Sequence, residues 1–147
     1  MRVDPATPAD IPALADLLTV LFTQEVEFVP DRNAQIRGLT HIVESPEIGC
    51  ILVARQQGKI TGMVNLLYTV STALGERVAI LEDMVVSPSA RGGGIGTQLL
   101  QAAIGHARSA GCKRITLLTD QSNEIAQQFY AKQGFSVSSM VPMRLTL

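Results

Sequence analysis

Four glycines fall within five positions, Gly92, Gly93, Gly94 and Gly96, between an aliphatic run, RVAILEDMVV, and a segment whose apolar residues recur at helical spacing. The chain must therefore turn from strand to helix through residues that carry no side chain. Successive unhindered N–H groups at a helix N-terminus form a concave donor surface, and the helix dipole there favours negative charge. The arrangement predicts an anion site, with a pyrophosphate as the best fit and Arg91 adding charge and paired donors. A tight turn with a purely conformational purpose is the alternative. No Lys-Ser/Thr pair follows the last glycine, so the loop is not a Walker A sequence, and Thr97 occupies the place of the third glycine in GxGxxG. ATPase and dinucleotide readings both weaken.

The flanking segments predict the rest of the fold. Thr7-Pro8-Ala9-Asp10 reads as a helix start, with Thr7 as N-cap and Pro8 at the first helical position, followed by an amphipathic helix to about Gln24. A second helical pattern carries Ile36, Leu39, Ile42 and Val43 and ends at Ser45-Pro46. Arg2 to Asp4 is a strand candidate. From Cys50 the period changes, and CILVARQ, ITGMVNLLYTV and RVAILEDMVV predict a three-stranded antiparallel meander with turns at QGK and TALGE. After the glycines come a helix through Ile95, Leu99, Leu100, Ala103 and Ala107, a strand RITLLTD, and a helix from Asn123 to Gln133. FSVSSM and PMRLTL are expected to close the sheet as a hairpin. The expected fold is α/β of the mixed α+β kind: one domain over residues 1–147, a mostly antiparallel twisted sheet of about seven strands with one parallel pair, and about four flanking helices.

Composition narrows the function classes. With 12 basic and 13 acidic residues the net charge is −1, so no broad field favours nucleic acid or an anionic membrane. The longest apolar run, Ile11 to Phe22, is broken by Asp16 and is too short to span a bilayer. The N-terminus has no apolar stretch before its first acid and two prolines, so no signal peptide is expected and the cytoplasm is the expected location. Cys50 and Cys112 read as buried thiols, and His41 and His106 as helix-surface residues. None has a partner at metal-ligand spacing, so no metal is expected.

Arg91-Gly92-Gly93-Gly94-Ile95-Gly96 resembles the Arg/Gln-x-x-Gly-x-Gly/Ala signature of the GCN5-related N-acetyltransferases (GNAT). Asn123 to Phe135, NEIAQQFYAKQGF, resembles the second motif of that family, and Thr7-Pro-Ala-Asp-Ile resembles the start of its first helix. The resemblance covers nearly the whole chain. It implies acetyl-CoA as co-substrate, with the pyrophosphate on Arg91 to Thr97, including Ile95, and with the pantetheine arm along the backbone of Met84, Val85 and Val86 and beside Asn123. A strand that parts from its neighbour leaves main-chain groups for such an arm to pair with. Asn123 is equally well explained as a helix N-cap.

The resemblance also assigns catalytic roles. Tyr130 matches the tyrosine that approaches the thioester sulfur, and its phenol is protonated at neutral pH. An acyl acceptor amine must lose a proton, and Glu82 matches the position where many family members carry the base. Asp83 is the neighbouring alternative or a substrate contact. Strand alternation would send the two acids to opposite faces unless a bulge intervenes. The mechanism implied is direct attack by the amine, without a covalent enzyme intermediate. The acceptor is expected between the glycine-bearing strand and the stretch from Phe22 to Arg37, where Glu25 and Glu27 would attract a cation. A small-molecule amine is the favoured acceptor, with a protein amine as the alternative. A CoA-binding regulatory module without turnover is the rival from another class. Small family members are often dimers, so a homodimer is among the states open to the chain.

Overall fold

The computed structural model describes residues 1–147 apart from Val26. Its helices are α1 (Ile11–Gln24), α2 (Arg32–Glu44), α3 (Ile95–Ser109) and α4 (Glu124–Ala131), and its strands are β1 (Arg2–Pro5), β2 (Gly49–Gln56), β3 (Lys59–Ser71), β4 (Glu76–Val86) and β5 (Ile115–Leu117). The sheet runs β1-β2-β3-β4-β5 in chain order, antiparallel throughout except for the parallel β4–β5 pair. The antiparallel meander and the single parallel crossover are therefore as expected. The β2–β3 turn carries positive φ at both Gln57 and Gly58, the geometry that suits a two-residue hairpin.

Both faces of the sheet are covered. On one face α3 buries Leu99, Leu100 and Ala103 against Val64, Leu66 and Leu81. On the other, α1 buries Leu14, Leu17 and Leu18 with Leu39 of α2 against Val53, Met63 and Val85. Alternate residues of the central strands feed the two cores, as strand geometry requires. The first helix opens with a 3-10 turn at Pro8–Asp10, where the Asp10 carboxylate accepts from Thr7 N at 2.8 Å and from Arg55, whose Nη2 lies 2.5 Å away.

The sheet is smaller than expected, with five strands among the described residues against the anticipated seven. The closing hairpin does not form. Residues 136–147 are exposed and make no strand, with Val137, Met143 and Leu145 each above 80% exposed. The apolar alternation in this segment marks strand-compatible side chains, but pairing also needs an edge and an unbroken row of donors. β5 offers only three residues, and Pro142 lacks an N–H. Arg144 instead forms an ion pair with Glu27 and lies over the Phe28 ring. His106, expected on a helix surface, is half-buried, and its Nε2 sits 3.0 Å from the Tyr68 hydroxyl.

Candidate active site

β4 is the strand on which the site is built, and it differs along its length. Its first half pairs with β5 through Ala79–Leu81, and its second half continues to Val86 with no β5 partner. The two parallel strands therefore part beyond Leu81. Val85 and Val86 stay paired with β3 on one side, with Met63 opposite Val85 and Gly62 opposite Val86, and Met84 lies where the register shifts. Their other edge is left for an extended, amide-bearing ligand.

The glycine turn follows after a single 3-10 turn at Pro88–Ala90. Gly92 and Gly94 have φ of +88° and +79°, a left-handed conformation that penalises any side chain. Gly94 is the N-cap of α3 and brings no side-chain cap, so the first-turn N–H groups of Ile95, Gly96 and Thr97 lack the usual partner. A β-carbon at Gly92 or Gly94 would meet nothing within 4 Å, and at Gly93 only a carbonyl oxygen at 3.9 Å. The turn is bare because its outer surface is open, not because the fold crowds it. Arg91 donates from Nε to Val86 O at 3.2 Å, which holds the guanidinium beside the turn and leaves its remaining donors outward. Gly96 behaves differently: a β-carbon there would sit 3.5 Å from Phe129 of α4. That contact brings the two sequence motifs together.

α4 begins at Asn123, whose Oδ1 accepts from Ala126 N at 3.0 Å, so its capping role is realised and its amide nitrogen stays free. Tyr130, about two turns further on, packs edge-on between Phe129 and Phe135 at centroid distances of 5.2 and 5.7 Å. Burial pushes its phenol up to about 12, so it remains a proton donor at any physiological pH.

Between Leu81 and Val85 the β3–β4 register slips. Met63 faces Val85 while Asn65 faces Glu82, so three steps on β4 match two on β3, and Asp83 takes a positive φ of +54°. This is a β-bulge, and it decides the question left open by strand alternation. Glu82 and Asp83 both line one cavity of about 330 Å³ that lies against α1, α2 and β3. Asp83 is partly buried and accepts from Asn65 Nδ2 at 3.2 Å. Burial pushes its carboxyl up to about 6, the Asn65 bond opposes that rise, and the Glu82 charge adds to it. Glu82 is exposed.

Asn65 is a site residue that the sequence reading passed over. It is 2% exposed, and its Oδ1 is the one buried side-chain polar atom without a hydrogen-bond partner among the described residues. An unmet buried acceptor costs about 1–3 kcal/mol. The signal was present as a lone amide inside the otherwise apolar MVNLLY. Gln35 is a second missed residue: its Nε2 donates to Ala15 O and Thr19 Oγ1, both at 3.0 Å, and its Oε1 accepts from Asp31 N. These bonds clamp α2 to α1 and hold the cavity wall.

Of the remaining acceptor-side candidates, Glu25 is half-buried, and burial first, then the charges of Asp83, Asp120, Glu82 and Glu27, raises its carboxyl. Glu27 is exposed and lines an open groove of about 600 Å³ with Asp120, Gln121 and Ser122. The TALGE turn lines neither cavity. No group of three potential metal ligands occurs among the described residues, and no helix is long and apolar enough to cross a membrane.

A strand with a parted edge, an uncapped glycine N-terminus and a bulged acid pair lie along one continuous segment, and the sequence pattern of the acetyltransferase (GNAT) family matches residues 11–135 around it. The chain belongs to that family. It is an N-acetyltransferase by this membership and by its relatives. An uncharacterized N-acetyltransferase of Bacillus subtilis, YhfO, is 33% identical over 92% of this chain and 89% of its own length. The aminoalkylphosphonate N-acetyltransferase of Salmonella typhimurium is 28% identical over 90% of this chain and 83% of its own. Among solved structures, a Trypanosoma brucei acetyltransferase superposes with a TM-score of 0.76 at 27% identity, covering 99% of both chains. The GNAT fold assignment thus stands on the whole length of the molecule, and the five-strand sheet is this chain's version of it.

Proposed function

We propose that the chain is an acetyl-CoA-dependent N-acetyltransferase that acylates the primary amine of a small molecule by direct attack. The observation that carries this reading is the bulge on β4. It sets an acid of raised pKa into a cavity wall on the same strand whose far end leads, through a short 3-10 turn, to the open glycine turn.

The residues fit the cofactor. Main-chain N–H groups from Gly92 to Thr97 would hold the pyrophosphate with Arg91, and the free edge at Met84 to Val86 would pair with the pantetheine amides. Asn123 would add its unused amide nitrogen. Bound acetyl-CoA supplies an acetyl group activated as a thioester. On the protein side, Asp83 accepts the proton that the acceptor ammonium must lose. Two observations favour it over Glu82: it is the less exposed of the two, and a carboxyl near 6 is still ionised at neutral pH while holding a proton more strongly than an ordinary aspartate. Glu82, exposed beside it, would act through its charge, which adds to the rise of the Asp83 carboxyl. Tyr130 keeps its proton to around pH 12 and would donate it, or a hydrogen bond, to the departing thiolate. Cys50 and Cys112 line neither cavity, and burial pushes both thiols up, so neither is equipped as a nucleophile.

A small acceptor fits the cavity of about 330 Å³ better than a protein surface does. The test is calorimetric binding of CoA and of ATP, followed by CoA release and product mass with a panel of amines. Binding of CoA but not ATP, with acetylated product, is expected. Preferential ATP binding, or tight CoA binding with no product from any amine, would overturn the reading, the second outcome in favour of a regulatory CoA binder.

A further inference from the structure

The cavity beside Asp83 is divided in its chemistry. Six of its lining side chains are large and apolar: Leu18, Phe22, Phe28, Leu39, Ile42 and Leu67. The Phe22 and Phe28 rings face each other with centroids 5.5 Å apart, and Leu18 and Leu39 belong to the buried core. The polar members carry no positive charge. Glu82, Asp83 and Asp31 are carboxylates, Gln35 is committed to α1, and Asn65 donates from Nδ2 to Asp83. No Lys, Arg or His lines the cavity among the described residues. On the flanking segments, Arg32 is paired with Asp16 and Arg144 with Glu27, while Arg37 stands exposed on α2 outside the lining.

Such a surface selects by subtraction. A phosphate or phosphonate carried by the acceptor would find no cation and would face three carboxylates, with Glu25 a fourth near enough to feel the charges of Glu82 and Asp83. A polyamine would have to bury a second ammonium among leucine, isoleucine and phenylalanine. A single ammonium attached to an apolar body meets neither obstacle. Its charge goes to the carboxylates, and its body replaces water along the apolar wall.

We infer that the acceptor is a monoamine bearing an aryl or branched-alkyl group, and that this chain does not take phosphorylated or phosphonate-bearing amines, unlike the aminoalkylphosphonate enzyme to which it is similar. A carboxylate can only accept, so Asn65 turns Nδ2 toward ionised Asp83, which fixes that acid in the cavity wall without bringing a positive charge to it.

This inference rests on the acetyltransferase reading for its chemistry but can be tested apart from it. Binding of phenethylamine, isopentylamine, 2-aminoethylphosphonate, glucosamine 6-phosphate and spermidine is measured by calorimetry on the protein without acetyl-CoA, and turnover with acetyl-CoA is measured separately. Phenethylamine and isopentylamine should bind at least about tenfold more tightly than the other three, and kcat/KM should follow the same order. Phe28→Lys, at a residue 43% exposed and so tolerant of change, should raise the phenethylamine Kd and KM about tenfold while CoA affinity is unchanged. Preference for the phosphonate, the sugar phosphate or spermidine, or an unaltered phenethylamine KM in Phe28→Lys, overturns the inference and leaves the enzyme class intact. Failure to bind CoA removes the acetyltransferase reading, while the amine-binding series still decides this one. No detectable binding of either apolar amine overturns it.

Discussion

Two aspartates, Asp10 and Asp83, sit in partly or fully buried positions on the two ends of the molecule's acidic spectrum, and their surroundings have opposite signs. At the corner where β1 meets α1, Asp10 receives two N–H groups from Arg55 at 2.9 and 2.5 Å and one from Thr7, and the Arg55 bonds hold its carboxyl below the usual carboxylate range. Arg55 also reaches Asp4 at 2.9 Å, so one guanidinium closes the corner. At the β4 bulge, Asp83 has one neutral amide and a neighbouring carboxylate, and its carboxyl is pushed up to about 6. A buried acid given an arginine holds the fold together. A buried acid denied one keeps a raised carboxyl, which fits the proposed role of Asp83 toward a cation from outside the chain.

The comparison can be broken in order of effect. Asp83→Asn should lower turnover by about a hundredfold or more, the usual scale for losing a positioned base, with CoA affinity little changed. In the parent, turnover should rise with pH through about 6 as Asp83 ionises, and the variant should lose that limb. A pH–rate profile on both proteins checks this. Next in size, Arg55→Met should cost about 3 kcal/mol in urea unfolding at pH 7, because it leaves Asp10 without its counter-charge, while Asp4 keeps Arg2 at 2.7 Å. The sign follows from the depressed carboxyl of Asp10: its stabilisation is present above the unfolded value near 4 and is lost as pH falls through the lower folded value. Parent stability should therefore drop on acidification more steeply than that of Arg55→Met. Smaller again, and opposite in direction, Asp83→Asn should stabilise the fold by roughly 2 kcal/mol at pH 7. A raised folded pKa means that the native state binds protons more tightly than the unfolded chain, so stability falls as pH rises from about 4 to about 6 and the amide escapes that loss. A variant that is slower and more stable is the signature of a functional acid; one that is slower and less stable would make Asp83 structural.

The same contrast explains what the sequence could disclose. Asp10 was legible as part of a helix start, since Thr7, Pro8 and Asp10 interact within one turn. The conformation of the glycine turn was legible for a related reason: it depends on residue identity within one short stretch, with positive φ at Gly92 and Gly94 and no side-chain cap on α3. The acceptor cavity was not. Its walls come from α1, α2, β3 and β4, and its shape depends on the Gln35 clamp and on a one-residue register slip that no periodicity encodes. Alternation sends Glu82 and Asp83 apart, and only the bulge returns them to one side. Alternation misled in the other direction at residues 136–147, where Val141, Met143 and Leu145 keep strand spacing but β5 gives them too short an edge.

The smallest effect belongs to Glu82, and it is the most discriminating. Glu82 is the base that the family resemblance implies, yet it is exposed and adjoins the residue that burial has pushed to about 6. If Asp83 takes the proton and Glu82 only adds to the local field, Glu82→Gln removes a surface charge whose influence on a neighbour is worth at most about 1 kcal/mol, or about fivefold in rate. Its charge also contributes to the raised carboxyl of Asp83, so the acid limb of the pH–rate profile should move to lower pH in Glu82→Gln. That displacement separates two roles that loss of turnover alone would confuse. A large fall in rate with the limb abolished would make Glu82 the proton acceptor; a small fall with the limb displaced downward assigns that role to Asp83 and leaves Glu82 as the charge that tunes it.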